Sequence, residues 1–388
     1  MFPYDSFRWR GLDGSEVIAH FPPTHFAQDF QYGNLRRQWS DYREKHIAEE
    51  NLFIYGWGDG GGGPTRMMVE HSQRAARFPG LPKIRAQKSE AFFDRLADNS
   101  MKLPVWDDEL YMEGHRGTYT SKGALKRANR RGELLYRDVE MLSSFLKAFG
   151  GPMIQERLNV GWKHLLLNQF HDTLTGSHVG EAMPDILEDY CIAEEIAETI
   201  KCELLSFLGN SVGEVGDLVV VNTLHSRKAL IKFKSSIAVH GLEFDDGHNW
   251  PVQKIDDGYV SYANLPSHGW ATARLLTKVA PIQTQTAAFG DNRIDTNYYS
   301  IHIGTNGQFT RIYDKVNERE VLSGEGNVFQ VFEDDPGKSF GAWDIAYHFE
   351  EYRYPVEQTS QWKLIDNGAV FARFSPNGKC STAPSTNT

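Results

Sequence analysis

The chain has 388 residues, 40% hydrophobic and 24% charged, which suits a globular protein of two or three domains with a real core. A formal net charge of -10 argues against a nucleic-acid partner, which needs a basic face, and no run approaches the ~20 apolar residues of a membrane span. Cys191, Cys202 and Cys380 form no C-x-x-C pair, so a zinc ribbon and a dithiol motif are excluded. So sparse a set suits a reducing compartment. The first residues, "MFPYDSFRWRG", lack an apolar signal core, and the expected location is the cytoplasm.

In chain order, "SEVIAHF" (Ser15 to Phe21) reads as a strand. "NLFIYGWG" (Asn51 to Gly58) reads as a buried parallel strand running into glycines. A helix follows, with Pro64 placed in its first turn and "TRMMVEHSQRAARF" continuing it. From about 108 to 208 the pattern is helical. Leu135, Val139, Leu142 and Leu146 step by four and three. Leu158, Trp162, Leu165 or Leu166, and Phe170 do the same, as do Ile186, Tyr190, Ala193, Ala197, Ile200, Leu204 and Phe207. Short connections make these an antiparallel bundle, with Thr120 or Ser121 expected as the cap of its first helix. The basic run "KRANRR" (Lys126 to Arg131) reads as a solvated helix face. Beyond Gly216, "DLVVVNTL", "ALIKFK", "GYVSYANL", "WATARLL" and "YYSIHIGTNGQFTRIYD" are short strands between turn signals. Asn306-Gly307 predicts a type I′ hairpin turn, and the small polar tail "SPNGKCSTAPSTNT" predicts disorder.

Three stretches could carry chemistry. In "GWGDGGGGPT" (Gly56 to Thr65), Asp59 is the single ionisable group on a loop whose glycines let backbone approach a ligand; a flexible linker is the alternative. A phosphate loop is excluded, because Pro64 stands where Lys-Ser or Lys-Thr is needed. In "LLLNQFHDTLTGSHVG" (Leu165 to Gly180), an apolar helix is expected to end at His171 and Asp172. A neutral imidazole is a good zinc ligand and a neighbouring carboxylate can orient it or bind hydroxyls; a capping or core histidine is the alternative. In "WDDELYMEGHRGTYTSKG", Asp107, Asp108, Glu109 and Glu113 precede His115 and Arg116, either as a ligand-contacting loop or as an acidic surface.

Taken together, the motifs resemble glycoside hydrolase family 38, the α-mannosidases, in the cytosolic and bacterial branch. "FPYDSFRWRGLDGSEVIAHFPPT", "FIYGWGDGGGGPT", "ELYMEGHRGTYTS", "LLLNQFHDTLTGS" and "VFEDDPGKSFGAWDIAYHFE" occur in the family's order, and the likeness runs from about Phe2 to Phe374. The resemblance implies a multidomain α/β plus β protein. Residues 1–105 would be the C-terminal part of a (β/α)7 barrel-like domain, 106–210 a three-helix bundle and 211–388 an incomplete β-sandwich. It implies a retaining hydrolysis of α-linked mannose in oligosaccharides, with Asp59 as acid/base. His171 would be a ligand of zinc, or of another divalent metal such as cobalt, and Asp172, His115 and Arg116 would contact the sugar. In such a mechanism two carboxyl groups stand about 5 Å apart, one attacking and one protonating. The family's nucleophile and His-x-Asp metal pair precede the segment that Met1 matches, so the chain resembles an internal piece. A non-catalytic truncated product or carbohydrate-binding remnant is the alternative, and a homo-oligomeric assembly stays open.

Overall fold

Two units divide the chain, Met1–Tyr111 and Met112–Thr388. The computed structural model describes residues 2–58, 61–110, 113–212, 217–278, 287–334, 341–346, 348–358, 361–377 and 380–381.

In the first unit, β1 (Ser6–Arg10) pairs antiparallel with β2 (Glu16–His20), from Ser6↔His20 to Arg10↔Glu16. The helices are α1 (Tyr32–Asp41), α2 (Arg66–Ala75) and α3 (Ser89–Ala97), and β3 (Val105–Trp106) lies parallel beside β1. The expected strand at Asn51 to Gly58 is not formed: no strand covers Asn51–Tyr55, and Gly56 and Trp57 make only isolated bridges. The carbonyls that a ladder would use are taken by two buried glutamines. Gln38 Nε2 donates to Leu52 O at 2.8 Å and Gln28 Nε2 to Ile54 O at 3.0 Å. A buried carbonyl needs a donor, and a side-chain amide serves as well as a neighbouring strand. Phe53 and Tyr55 still pack against Phe30, Leu35 and Met68, so the apolar content is used for the core. Pro64 stands just before the helix rather than in it. Thr65 is the cap of α2, its hydroxyl accepting from Met68 N at 3.3 Å.

In the second unit, α4 (Gly123–Lys147), α5 (Gln155–Leu167) and α6 (Met183–Val212) share one core that includes Tyr136, Leu142, Leu158, Leu165, Ala197 and Leu204. Two glycines set the approach of α4 and α5. A Cβ on Gly132 would meet Leu165 Cδ1 at 2.6 Å, and one on Gly161 would lie 1.7 Å from the Tyr136 hydroxyl. Leu166 and Phe170 are exposed, so Leu165 alone carries the inward position. Neither Thr120 nor Ser121 caps α4. Lys122, in the left-handed region at φ 51°, precedes it without a side-chain cap, and the one Ser121 hydroxyl proton is shared between the carbonyls of Gly117 and Ala342.

Past the helices, β4 (Asp217–Asn222), β5 (Arg227–Phe233), β6 (Gly241–Phe244), β7 (Asn249–Ile255), β8 (Gly258–Leu265) and β9 (Gly269–Leu276) make one antiparallel sheet in the order β4-β9-β6-β7-β8-β5. The valine run of β4 is apolar on both faces. Val219 and Val221 join the helical core, while Leu218 and Val220 join the core of the sheet around Leu242 and Ala273. A second sheet runs β10 (Ala287–Gly290), β11 (Arg293–Thr296), β12 (Tyr299–Ile303), β13 (Phe309–Asp314) and β14 (Arg319–Glu320) in sequential order. The hairpin at Asn306-Gly307 forms, but not with a type I′ turn: Gly307 has φ 80° and Asn306 is not among the positive-φ residues. Gly307 N donates to Gly304 O and Gly304 N to Gln308 O, the pattern of a longer loop ending on a left-handed glycine. Residues 375–377 and 380–381 of the tail lie in strands, against the disorder that composition predicts; 378–379 and 382–388 lie outside the described residues. Ser375, Pro376 and Asn377 continue the strand Ala372–Asn377, which pairs with Gln361–Asn367, and Cys380–Ser381 pairs with Glu357–Gln358. An antiparallel partner satisfies backbone that small polar side chains cannot bury.

Candidate functional site

The Asp59 side chain falls outside the described residues. The loop that bears it has fixed ends: Trp57 N donates to Gly63 O at 2.9 Å and Gly63 N to Trp57 O at 2.8 Å. Gly56 at its base has φ 124°, and a Cβ there would meet Pro64 N at 2.9 Å. A flexible linker does not close on itself in this way.

The helix before His171 ends earlier than its apolar pattern implies. α5 stops at Leu167, and the next two residues pin the exit. Asn168, 3% exposed, donates to His164 O and to Asp189 Oδ2 on α6. Gln169 donates to Asn129 Oδ1 and Glu133 Oε1 on α4. With its base tied to both neighbouring helices, the chain turns outward. The His171 and Asp172 side chains are 76% and 62% exposed, with Nε2 to Oδ1 at 3.6 Å. Such exposure removes the reading of His171 as a core histidine. The loop is then held from within: Thr173 N and Leu174 N donate to Phe170 O, Thr175 Oγ1 to His171 O, and Gly176 N to Thr173 O.

His115 and Arg116 lie on the short helical turn Glu113–Tyr119 that leads to α4. Two contacts bind this loop to the His171 loop. Gly176 has φ 81°, and a Cβ on it would meet Ser121 O at 2.7 Å, so only glycine allows the approach. Lys126 Nζ donates to Ser121 O at 2.6 Å, Leu174 O at 2.9 Å and Thr175 O at 3.2 Å. Burial holds the Lys126 pKa below the ordinary lysine value. The reading of "KRANRR" as a solvated face holds for Arg127, Arg130 and Arg131, which are exposed; Lys126 is partly buried and Asn129 buried, because both face the loops and not water. Nearby, Lys122 Nζ donates to His178 O at 3.0 Å. The structure thus brings His115, Arg116, His171 and Asp172 to one end of the helices, on loops clamped to each other. Asn168, Gln169, Lys126 and Gly176 escape a pattern reading. For Lys126, Asn168 and Gln169 the signal is a polar residue at, or just past, positions that helix periodicity turns inward; Gly176 lies on the loop and carries no such signal.

Among the described residues, no group of three or more His, Cys, Asp or Glu side chains is arranged to hold a metal ion. A catalytic zinc takes three protein ligands. His171 with Asp172 does not supply that donor set, and no chemical step can be built on a metal from these residues.

Comparison with known proteins supplies the frame. The family model "Glycosyl hydrolases family 38 N-terminal domain" matches residues 1–109, "Alpha mannosidase middle domain" 113–207 and "Glycosyl hydrolases family 38 C-terminal domain" 294–380. Alpha-mannosidase 2C1 of Homo sapiens is 30% identical over 368 residues, 92% of this chain and 34% of that protein. The alpha-mannosidase of Saccharomyces cerevisiae is 33% identical over 402 residues, 98% of this chain and 34% of that protein. The chain therefore spans about a third of the length of the curated relatives it matches. The crystal structure of an alpha-mannosidase from Enterococcus faecalis V583 has the same fold over 96% of this chain and 49% of its own, with a TM-score of 0.60 at 14% identity. Three models of one family follow one another along the sequence in the order of the two units described above, and the chain belongs to glycoside hydrolase family 38.

Proposed function

We propose that the chain serves a retaining α-mannosidase acting on α-linked mannose in oligosaccharides, with His171 and Asp172 at the sugar. The observation that supports this best is the outward-turned His171-Asp172 loop, held by Asn168, Gln169 and Lys126 against the His115-Arg116 loop. A rigid pair of exposed polar loops suits a ligand with several hydroxyls, since the cost of ordering is met before binding. In this reading Asp172 accepts from a sugar hydroxyl, and His115 and Arg116 donate. Asp59 is the proton donor to the leaving oxygen. His171 contributes one imidazole to a zinc or cobalt centre whose other ligands the described residues do not provide. The units are read as the end of a (β/α)7 barrel for 1–105, a three-helix bundle for 106–210 and part of a β-sandwich for 211–388. The cytoplasm is the proposed location. Among the described residues, no helix is long and apolar enough to cross a membrane.

A second reading, a carbohydrate-binding chain without turnover, is favoured by the incomplete donor set around His171. The two are separated by assaying purified protein with an aryl α-mannoside, with and without added zinc, beside a binding titration with methyl α-mannoside. The proposed function expects binding that weakens in Asp172→Asn together with turnover that added zinc raises; binding without turnover would support the second reading. Binding unaffected by Asp172→Asn would reject the site. Fast turnover would reject the second reading.

A further inference from the structure

We infer that Trp343, from the segment 341–346, supplies an aromatic platform for the sugar at this site. The inference rests on the reading of the His171-Asp172 and His115-Arg116 loops as a mannose site. Two consecutive residues of the segment are bonded to the His115 loop, and the next one packs against it. The Ser121 hydroxyl donates to Ala342 O at 2.9 Å, and Gly117 N donates to Trp343 O at 3.1 Å. A Cβ on Gly117 would stand 2.8 Å from Asp344 O and 2.9 Å from Asp344 N, so the two backbones meet only because position 117 is glycine. The far end is braced too, Ala346 N donating to Asp334 Oδ1 at 2.8 Å.

Trp343 thus sits in a segment held at both ends, yet among the described residues its ring belongs to none of the hydrophobic cores of the unit. It is half-buried, and it meets the His115 ring edge to face at 5.1 Å. An indole outside the cores of the described residues, against a polar loop, gains little for folding. Its use is a ligand with one apolar face and polar edges. A hexose has that form: its C–H face lies on an aromatic ring while its hydroxyls reach donors and acceptors. His115, Arg116 and Asp172 provide the polar side. Ser121 links the parts, since its carbonyl accepts from Lys126 and its hydroxyl donates to the Trp343 segment.

The test is a saturation-transfer NMR titration of the full chain with methyl α-mannoside, comparing wild type, Asp172→Asn, Trp343→Ala and Trp343→Phe. Binding should fall about tenfold in Trp343→Ala and stay within about threefold in Trp343→Phe, the scale of one aromatic contact. If wild type does not bind, the site reading and the inference fall together. If Asp172→Asn weakens binding and Trp343→Ala does not, the site stands and the inference alone falls. If Trp343→Phe loses as much as Trp343→Ala and both melt well below wild type, the ring is scaffold and the inference is overturned.

Discussion

Replacing Lys126 by Met keeps the aliphatic stem and removes three donors. Ser121 O, Leu174 O and Thr175 O then lose partners at 2.6, 2.9 and 3.2 Å. A hydrogen bond from a charged group contributes about 1.5–3 kcal/mol, but these bonds share one ammonium, and burial already lowers its pKa. The carbonyls regain water once the loop loosens. The net cost is therefore that of one strong bond, about 2 kcal/mol, and it falls on local opening of the loop. That corresponds to exchange about 30-fold faster at the amides of Thr173, Leu174 and Gly176, which are bonded inside the loop. Hydrogen exchange read by NMR, where opening precedes exchange, measures it. Core amides of α4 and α6 should keep their rates, since Leu125 and Leu204 belong to the helical core and not to the loop. Unchanged loop amides would refute the clamp. An equal acceleration throughout the helices would show that Lys126 stabilises the unit as a whole and does not position the loop.

Gly161→Ala should destabilise the second unit by about 3 kcal/mol, because the new methyl overlaps the fully buried Tyr136, whose hydroxyl bonds Ala193 O at 2.8 Å; helix propensity returns only about 1 kcal/mol. Urea titration checks it, and wild-type stability would mean that α4 and α5 separate freely. His20 bonds Ser6 Oγ at 2.8 Å, and burial pushes its pKa down to about 4, so its neutral form is favoured in the fold. A depressed folded pKa gives stability that is present above the unfolded value near 6.5 and lost as pH falls towards 4, up to about 3 kcal/mol in the first unit. The measurement is the acid slope of unfolding in wild type and in His20→Gln; equal slopes would contradict it. Tyr136 and Tyr190 are each pushed up to about 12 by burial, first of all causes, so both contribute stability that is complete below pH 10 and disappears as pH rises towards 12. Alkaline melts of Tyr136→Phe should show a shallower loss than wild type.

The helices were legible because burial repeats at a period that neighbouring residues reveal. Val139, Leu142, Leu146, Ala193 and Ala197 are core positions by spacing and core positions in the structure. The order of the family motifs was legible for a similar reason, being a property of the string itself. Partnership between distant segments is not in the string. Whether Asn51–Tyr55 becomes a strand depends on a partner, and Gln28 and Gln38 bond its carbonyls instead. Where α5 ends depends on Asn168 and Gln169 finding Asp189 and Glu133. The tail pairs because a complementary strand lies beside it. The same holds at the site. His171, Asp172, His115 and Arg116 could be singled out by residue type, but the contact between their loops is decided by Lys126, Gly176 and Ser121, and Trp343 arrives from more than 200 residues away. Local periodicity fixes which face of an element is buried; only the fold decides which elements then touch.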